Sequence, residues 1–186
     1  MAFNPANGGL YVLNSKNDVY EFNKLGTVVS TRRLSSVGIT NATALVFTPS
    51  ANRFDDPSVM TLFVLEASLP PGGPGGKPAP RIVELSLTAP ILAPSTLAAP
   101  VVDPVPTLIQ TIQTWQWSIP SPDPDGITYI PSCPGLIAPA AGSYLVNDSE
   151  VEEANFVSNG IWKGYNIYEM SPSGTPLHTY TTYPKF

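Results

Sequence analysis

Apolar and polar residues alternate along this chain in short runs, and three stretches carry the same arrangement. They are GGLYVLNSKNDVYEFNKLGTVVSTRRL at Gly8 to Leu34, MTLFVLEAS at Met60 to Ser68 with RIVELSL at Arg81 to Leu87, and GSYLVNDSE at Gly142 to Glu150 with YNIYEMSPSGTPLHTYTT at Tyr165 to Thr182. Each has an aromatic or aliphatic run that ends in a polar residue, then a shorter run with a central glutamate. The alignment sets Val19-Tyr20-Glu21-Phe22 beside Ile82-Val83-Glu84-Leu85 and Ile167-Tyr168-Glu169-Met170. Short apolar runs of this length predict strands, and their recurrence predicts one supersecondary unit used repeatedly.

Two of the stretches predict the same hairpin. YEFNKLGTVVST and YEMSPSGTPLHT carry Gly26 and Gly174 at one offset from their glutamates, where glycine can take the positive φ that closes a short turn. GITNATALVFTPS at Gly38 and GITYIPS at Gly126 both open on Gly-Ile-Thr and read as a recurring first strand. The units then run from 38 to 125, closing on TWQWSIP as a strand, and from 126 to 186, with 8 to 37 as the latter part of a preceding unit. Four antiparallel strands per unit predict an all-β protein with β-propeller-like blades in an incomplete ring. A β-sandwich is the alternative, since it also has many short strands, but a sandwich need not repeat itself.

Fewer than three complete blades leave apolar faces and strand edges open, which predicts a fragment of a longer polypeptide or a subunit completed by a protein partner or by self-association. Two long connections interrupt the pattern. SLPPGGPGGKPAP at Ser68 to Pro80 reads as a Gly/Pro excursion within one blade, and TAPILAPSTLAAPVVDPVPT at Thr88 to Thr107 as an extended surface segment able to lie on a neighbour.

Composition agrees with strands and loops. The 22 Pro among 186 residues would break long helices, while 42% hydrophobic residues argue against disorder throughout. A net charge of -5 with no basic cluster beyond Arg32-Arg33 excludes nucleic acid as a natural partner. No run is long and apolar enough for a transmembrane segment, and MAFNPANGG lacks the features of a signal peptide. Low charge and abundant Thr, Ser, Ala and Pro suit an extracytoplasmic, secreted or cell-surface protein. NAT at Asn41 and NDS at Asn147 match the glycan acceptor pattern. Cys133 is the single cysteine, which excludes an internal disulfide and a cysteine-based zinc cluster.

Candidate chemistry sits in the acids. DPDG at Asp123 to Gly126 and NDSEVEE at Asn147 to Glu153 supply hard oxygens of the kind calcium takes, so Asp123, Asp125, Asp148, Glu150 and Glu152 form the candidate metal set. Neither is an EF-hand loop. The acids read first as an exposed turn, second as a calcium-stabilised loop and third as a catalytic pair. His178, the single histidine, falls on a predicted outer strand at the position of Ser30, which favours a surface or packing role over a general base. Trp115 and Trp117 would share one side of a strand, filling a blade interface or forming a platform for carbohydrate or a partner; Trp162 is the third tryptophan. Glu21, Glu84 and Glu169 read as structural, either facing the wetter side or accepting backbone or tyrosine hydrogen bonds near the propeller axis.

SPDPDGITYIPS, GSYLVNDSEVEE and GYNIYEMSPSGTPLHTYT together resemble bacterial calcium-associated β-propellers of the NHL, SdiA-regulated and esterase-like-phytase type. The resemblance implies a propeller fold and places Asp148 and Glu150 on a loop leaving an inner strand, with Asn14 and Glu66 at corresponding places. The expectation is a non-enzymatic structural or protein-interaction subunit. The alternative is a calcium-dependent phytase-like or esterase-like hydrolase that uses the metal to position water and phosphate.

Overall fold

Short apolar runs bounded by turn residues form short strands paired with their sequence neighbours, buried on one face or, as in β6 and β7, on both. A computed structural model describes residues 1–50, 60–67, 80–87, 106–117, 124–131, 142–148 and 165–182. Among them are three antiparallel four-stranded sheets, each made of strands in sequence order. Sheet 1 contains β1 (Ala2–Asn4), β2 (Gly9–Leu13), β3 (Asp18–Phe22) and β4 (Val28–Arg33). Sheet 2 contains β5 (Ala42–Pro49), β6 (Met60–Glu66), β7 (Arg81–Ser86) and β8 (Thr107–Gln113). Sheet 3 contains β9 (Pro124–Ile130), β10 (Ser143–Asp148), β11 (Tyr165–Met170) and β12 (Pro176–Thr182). The all-β expectation holds, as three sheets rather than the two of a sandwich.

The two predicted hairpins are the same object. In β3–β4 the Gly26 amide donates to the Asn23 carbonyl and the Asn23 amide to the Thr27 carbonyl; in β11–β12 Gly174 and Ser171 do the same with Ser171 and Thr175. Gly26 has φ of 77° and Gly174 of 82°, the left-handed region in which a Cβ is strained. Both hairpins also carry a register shift directly after the glutamate, between Glu21 and Phe22 and between Glu169 and Met170. Glu21 faces Ser30 and Glu169 faces His178, so the predicted Ser30–His178 correspondence is observed.

Four local expectations are corrected. Ala2–Asn4 pairs with Gly9–Tyr11, so sheet 1 has a first strand upstream of the predicted 8–37 segment. Gly126-Ile127-Thr128 lies inside β9, whereas Gly38 ends a 3-10 turn at Leu34–Val37 and Ile39-Thr40 precede β5, so the recurring tripeptide does not mark one structural position. TWQWSIP does not open as a strand: β8 ends at Gln113 and Thr114–Gln116 forms a 3-10 turn, while residues 118–120 lie outside the described residues. DPDG is not a free turn, because Pro124–Gly126 already belong to β9. The segment 68–79, most of the Thr88 to Thr107 connection, Cys133 and Trp162 lie outside the described residues.

The chain divides into two units, Met1–Val64 with Val83–Thr111 and Leu65–Ile82 with Ile112–Phe186. The first has a core of Tyr11, Val19, Leu34, Ile39, Leu45, Phe47, Leu62, Val64, Val83 and Leu85, in which the Tyr11 and Phe47 rings lie 4.6 Å apart. In the second, the Trp117 ring lies 5.2 Å from that of Tyr168, and Tyr129 lies 5.4 Å from Tyr144. Trp117 is buried, the packing role expected of it.

Candidate functional site

The central glutamates are held inside their own sheets. In sheet 1 the Ser30 hydroxyl donates to Glu21 Oε2 at 2.6 Å, Arg32 Nη1 donates to the same oxygen at 3.0 Å, and Asn7 Nδ2 donates to Oε1 at 2.9 Å. In sheet 2 Glu84 is fully buried and accepts from Thr61 Oγ1 and Gln110 Nε2, both at 2.8 Å. In sheet 3 Glu169 Oε2 lies 3.0 Å from His178 Nδ1 and 3.2 Å from the Tyr180 hydroxyl that donates to it. The fourth strand therefore supplies a polar partner each time: Ser30, Gln110 or His178. Side-chain hydrogen bonds reach all three glutamates, and at Glu169 the wetter-face reading holds as well, since Thr128, Asn147, His178 and Tyr180 on its face are exposed. At Glu21 the wetter-face reading fails, because Glu21 lies beside Tyr11 and two residues from Val19, on the packed side.

These partners set the titration of the carboxylates. Burial works to raise Glu21, but hydrogen bonds from Ser30, Tyr11 and Arg32 outweigh it and hold the group below its ordinary value. Glu169 is likewise held low, first by the Ser143 hydroxyl and, against the pull of burial, by His178 and Tyr180. Tyr11 is pushed up, chiefly by burial, as is Tyr168, to which the Asp148 charge adds.

A second repeated position lies where the second strand ends. Asn14 follows β2, but Glu66 and Asp148 are the last residues of β6 and β10 rather than loop residues, which corrects the placement that the resemblance implies, and each meets the first residue or near-first residue of the next strand. Asn14 Nδ2 donates to Asp18 Oδ2 at 3.4 Å, Glu66 Oε2 lies 2.7 Å from Arg81 Nε, and Asp148 is directly opposite Asn166. Asn166 Nδ2 in turn donates to the Tyr168 hydroxyl at 3.2 Å. At Asn14 and Glu66 these polar ends fasten neighbouring strands to each other.

Of the candidate metal set, Asp125 and Asp148 are described, and Asp123, Glu150 and Glu152 lie outside the described residues. The β9–β10 register passes from Asn147↔Gly126 to Asp148↔Pro124, so Asp125 is the extra residue of a bulge beside Asp148. Pairing thus brings the two together. Asp125 is exposed, whereas Asp148 is buried on the Tyr144 and Val146 side of β10, which corrects the exposed-turn expectation at that residue. Among the described residues no three His, Cys, Asp or Glu cluster in a way that could hold a metal ion.

The feature that sequence reasoning missed is a difference in covering. Every sheet has an apolar face, formed by Leu10, Val12, Tyr20 and Phe22 in sheet 1, by Leu62, Val64, Val83 and Leu85 in sheet 2, and by Tyr144, Val146, Tyr168 and Met170 in sheet 3. All eight residues of the latter two sets are buried. In sheet 1 Leu10 is 39% exposed and Val12, Tyr20 and Phe22 are half-buried. Strand register extends this open face across the whole sheet, because Phe3, Leu10, Phe22 and Val28 stand opposite one another on β1 to β4. Phe3 is 60% and Val28 45% exposed.

The opposite faces bear the central glutamates. Tyr11 and Val19 are buried in sheet 1, and Phe63, Leu65, Ile82 and Glu84 in sheet 2. In sheet 3 Leu145 and Ile167 are half-buried, and Thr128, Asn147, His178 and Tyr180 are exposed. No family model matches the chain, and neither a curated protein nor a solved structure matches it.

Proposed function

We propose that the chain is a non-enzymatic structural or protein-interaction subunit whose sheets act as propeller-like blades and whose working surface is the apolar face of sheet 1. The observation that supports this reading is the open row Phe3, Leu10, Phe22 and Val28, in which Leu10 and Phe22 hold the register positions where Tyr144 and Met170 of sheet 3 are buried. Contiguous apolar surface on a soluble face is covered by association, because its removal from water is favourable in proportion to area. The repeated carboxylates lend further support, since Glu21, Glu84 and Glu169 are engaged by side chains of their own sheets. An extracytoplasmic setting is part of the same proposal and rests on composition alone.

Radical footprinting tests the surface. Phe3, Leu10 and Val28 should react readily in the dilute purified chain and lose reactivity when the chain is labelled in the cells that make it. Equal labelling of all three in both settings would contradict the reading.

A further inference from the structure

The interaction reading leaves the occupant of the open face unnamed, and the molecule contains a template for it. Resting on that reading, we infer that the apolar face of sheet 1 receives the glutamate-bearing face of sheet 3 from a second copy of this chain, head to tail.

The template is in the first unit. There the glutamate-bearing face of sheet 1, through Tyr11 and Val19, shares one core with the apolar face of sheet 2, through Leu62, Val64, Val83 and Leu85. A glutamate-bearing face is thus a surface that an apolar face of this repeat accepts. Among the described residues an apolar face is open on sheet 1, and a glutamate-bearing face, with Leu145, Ile167 and Tyr180, on sheet 3. Self-association by this pairing covers both.

The polar content of the second face does not oppose burial. Glu169, His178 and Tyr180 occupy the register positions of Glu21, Ser30 and Arg32. In sheet 1 the Glu21 and Arg32 side chains lie 3.0 Å apart and are only 13% and 9% exposed, so a carboxylate in this row is compatible with a packed surface once its own sheet satisfies it. Glu169 already has that satisfaction from His178 and Tyr180. Two apolar sheet 1 faces packed on each other would leave both sheet 3 faces open. The contact is therefore heterologous, and such contacts either close into rings or continue as filaments.

Two double variants at exposed positions separate the faces. Leu10→Glu with Val28→Glu charges the first, and Thr128→Glu with Asn147→Glu charges the second. Sedimentation of the unaltered chain should show mass above the monomer that rises with concentration. Each variant alone should sediment as a folded monomer with an unchanged circular dichroism spectrum. Their equimolar mixture should recover a one-to-one dimer, because one intact face of each kind remains. A mixture that stays monomeric overturns the head-to-tail contact, as does assembly that survives the sheet 3 substitutions. An unaltered chain that is monomeric at every concentration also overturns it, while protection of Leu10 in cells would keep the interaction reading with a different protein as occupant.

Discussion

Leu10 and Leu62 occupy the same position on the second strand of successive sheets, yet Leu10 is 39% exposed and Leu62 is fully buried. The difference arises above the strand, since both residues alternate with their neighbours in the same way. What separates them is whether another sheet lies on the face.

Truncation should report that covering directly. Leu62→Ala should cost about 2–5 kcal/mol, the range for a leucine removed from a packed interior, whereas Leu10→Ala should cost under about 1 kcal/mol in the dilute chain. Urea denaturation of the two variants at low concentration makes the comparison. Equal losses would mean that Leu10 is covered within the single chain.

Gly26 and Gly174 offer a second matched pair. Both take a left-handed conformation, but a Cβ on Gly26 meets nothing within 4 Å, while one on Gly174 comes within 2.6 Å of Ile112 Cγ1. Gly26→Ala should therefore cost only the conformational penalty of about 1–2 kcal/mol. Gly174→Ala should cost roughly a further 1–3 kcal/mol for displacing a packed isoleucine. Thermal melts that rank Gly26→Ala as the more damaging would contradict the packing of Gly174 on Ile112.

Much of this arrangement was legible because it is local. Alternation over five to seven residues shows strands, and a glutamate followed at fixed distance by glycine shows a hairpin, as at Glu21 with Gly26 and Glu169 with Gly174. Ala2–Asn4 was not legible, since three residues hold too little alternation and are strand only through pairing with β2. TWQWSIP alternates as a strand would, but after Gln113 the backbone turns, and alternation alone carries no information on that. The charge of Asp148 predicts a wet position, although it stands two residues beyond Val146 and four beyond Tyr144, on the buried side. The open face of sheet 1 had no local signal, because its residues are as apolar as those buried elsewhere.

The strand-end pairs should differ in worth by their burial. Glu66 is fully buried against Arg81, whose side chain is 21% exposed, while Arg33, 75% exposed, stands 3.6 Å from Asp18. Arg81→Met removes the charged partner of a buried carboxylate and should cost about 3–5 kcal/mol. Arg33→Met removes a solvated pair and should cost under about 1 kcal/mol. Parallel denaturation curves give the ratio; losses within error of each other would show that Glu66 does not depend on Arg81.

Glu21 makes the stability of sheet 1 depend on acid, with a definite sign. Its hydrogen bonds from Ser30, Tyr11 and Arg32 favour the ionised form, so its folded value lies below the ordinary 4.5. A group lowered on folding adds stability that is complete above the unfolded value and is lost as pH falls through the folded one. Glu21→Gln should thus be destabilised relative to the unaltered chain at pH near neutral, by about 1 kcal/mol once partial solvation of the Arg32 pair is allowed for. Below the ordinary carboxylate range the gap should shrink, because protonation then removes in the unaltered chain what the substitution removes at every pH. Denaturant midpoints for both proteins across that range measure the gap, and one that stays constant into strong acid would show that ionised Glu21 is not what holds β4 to β3.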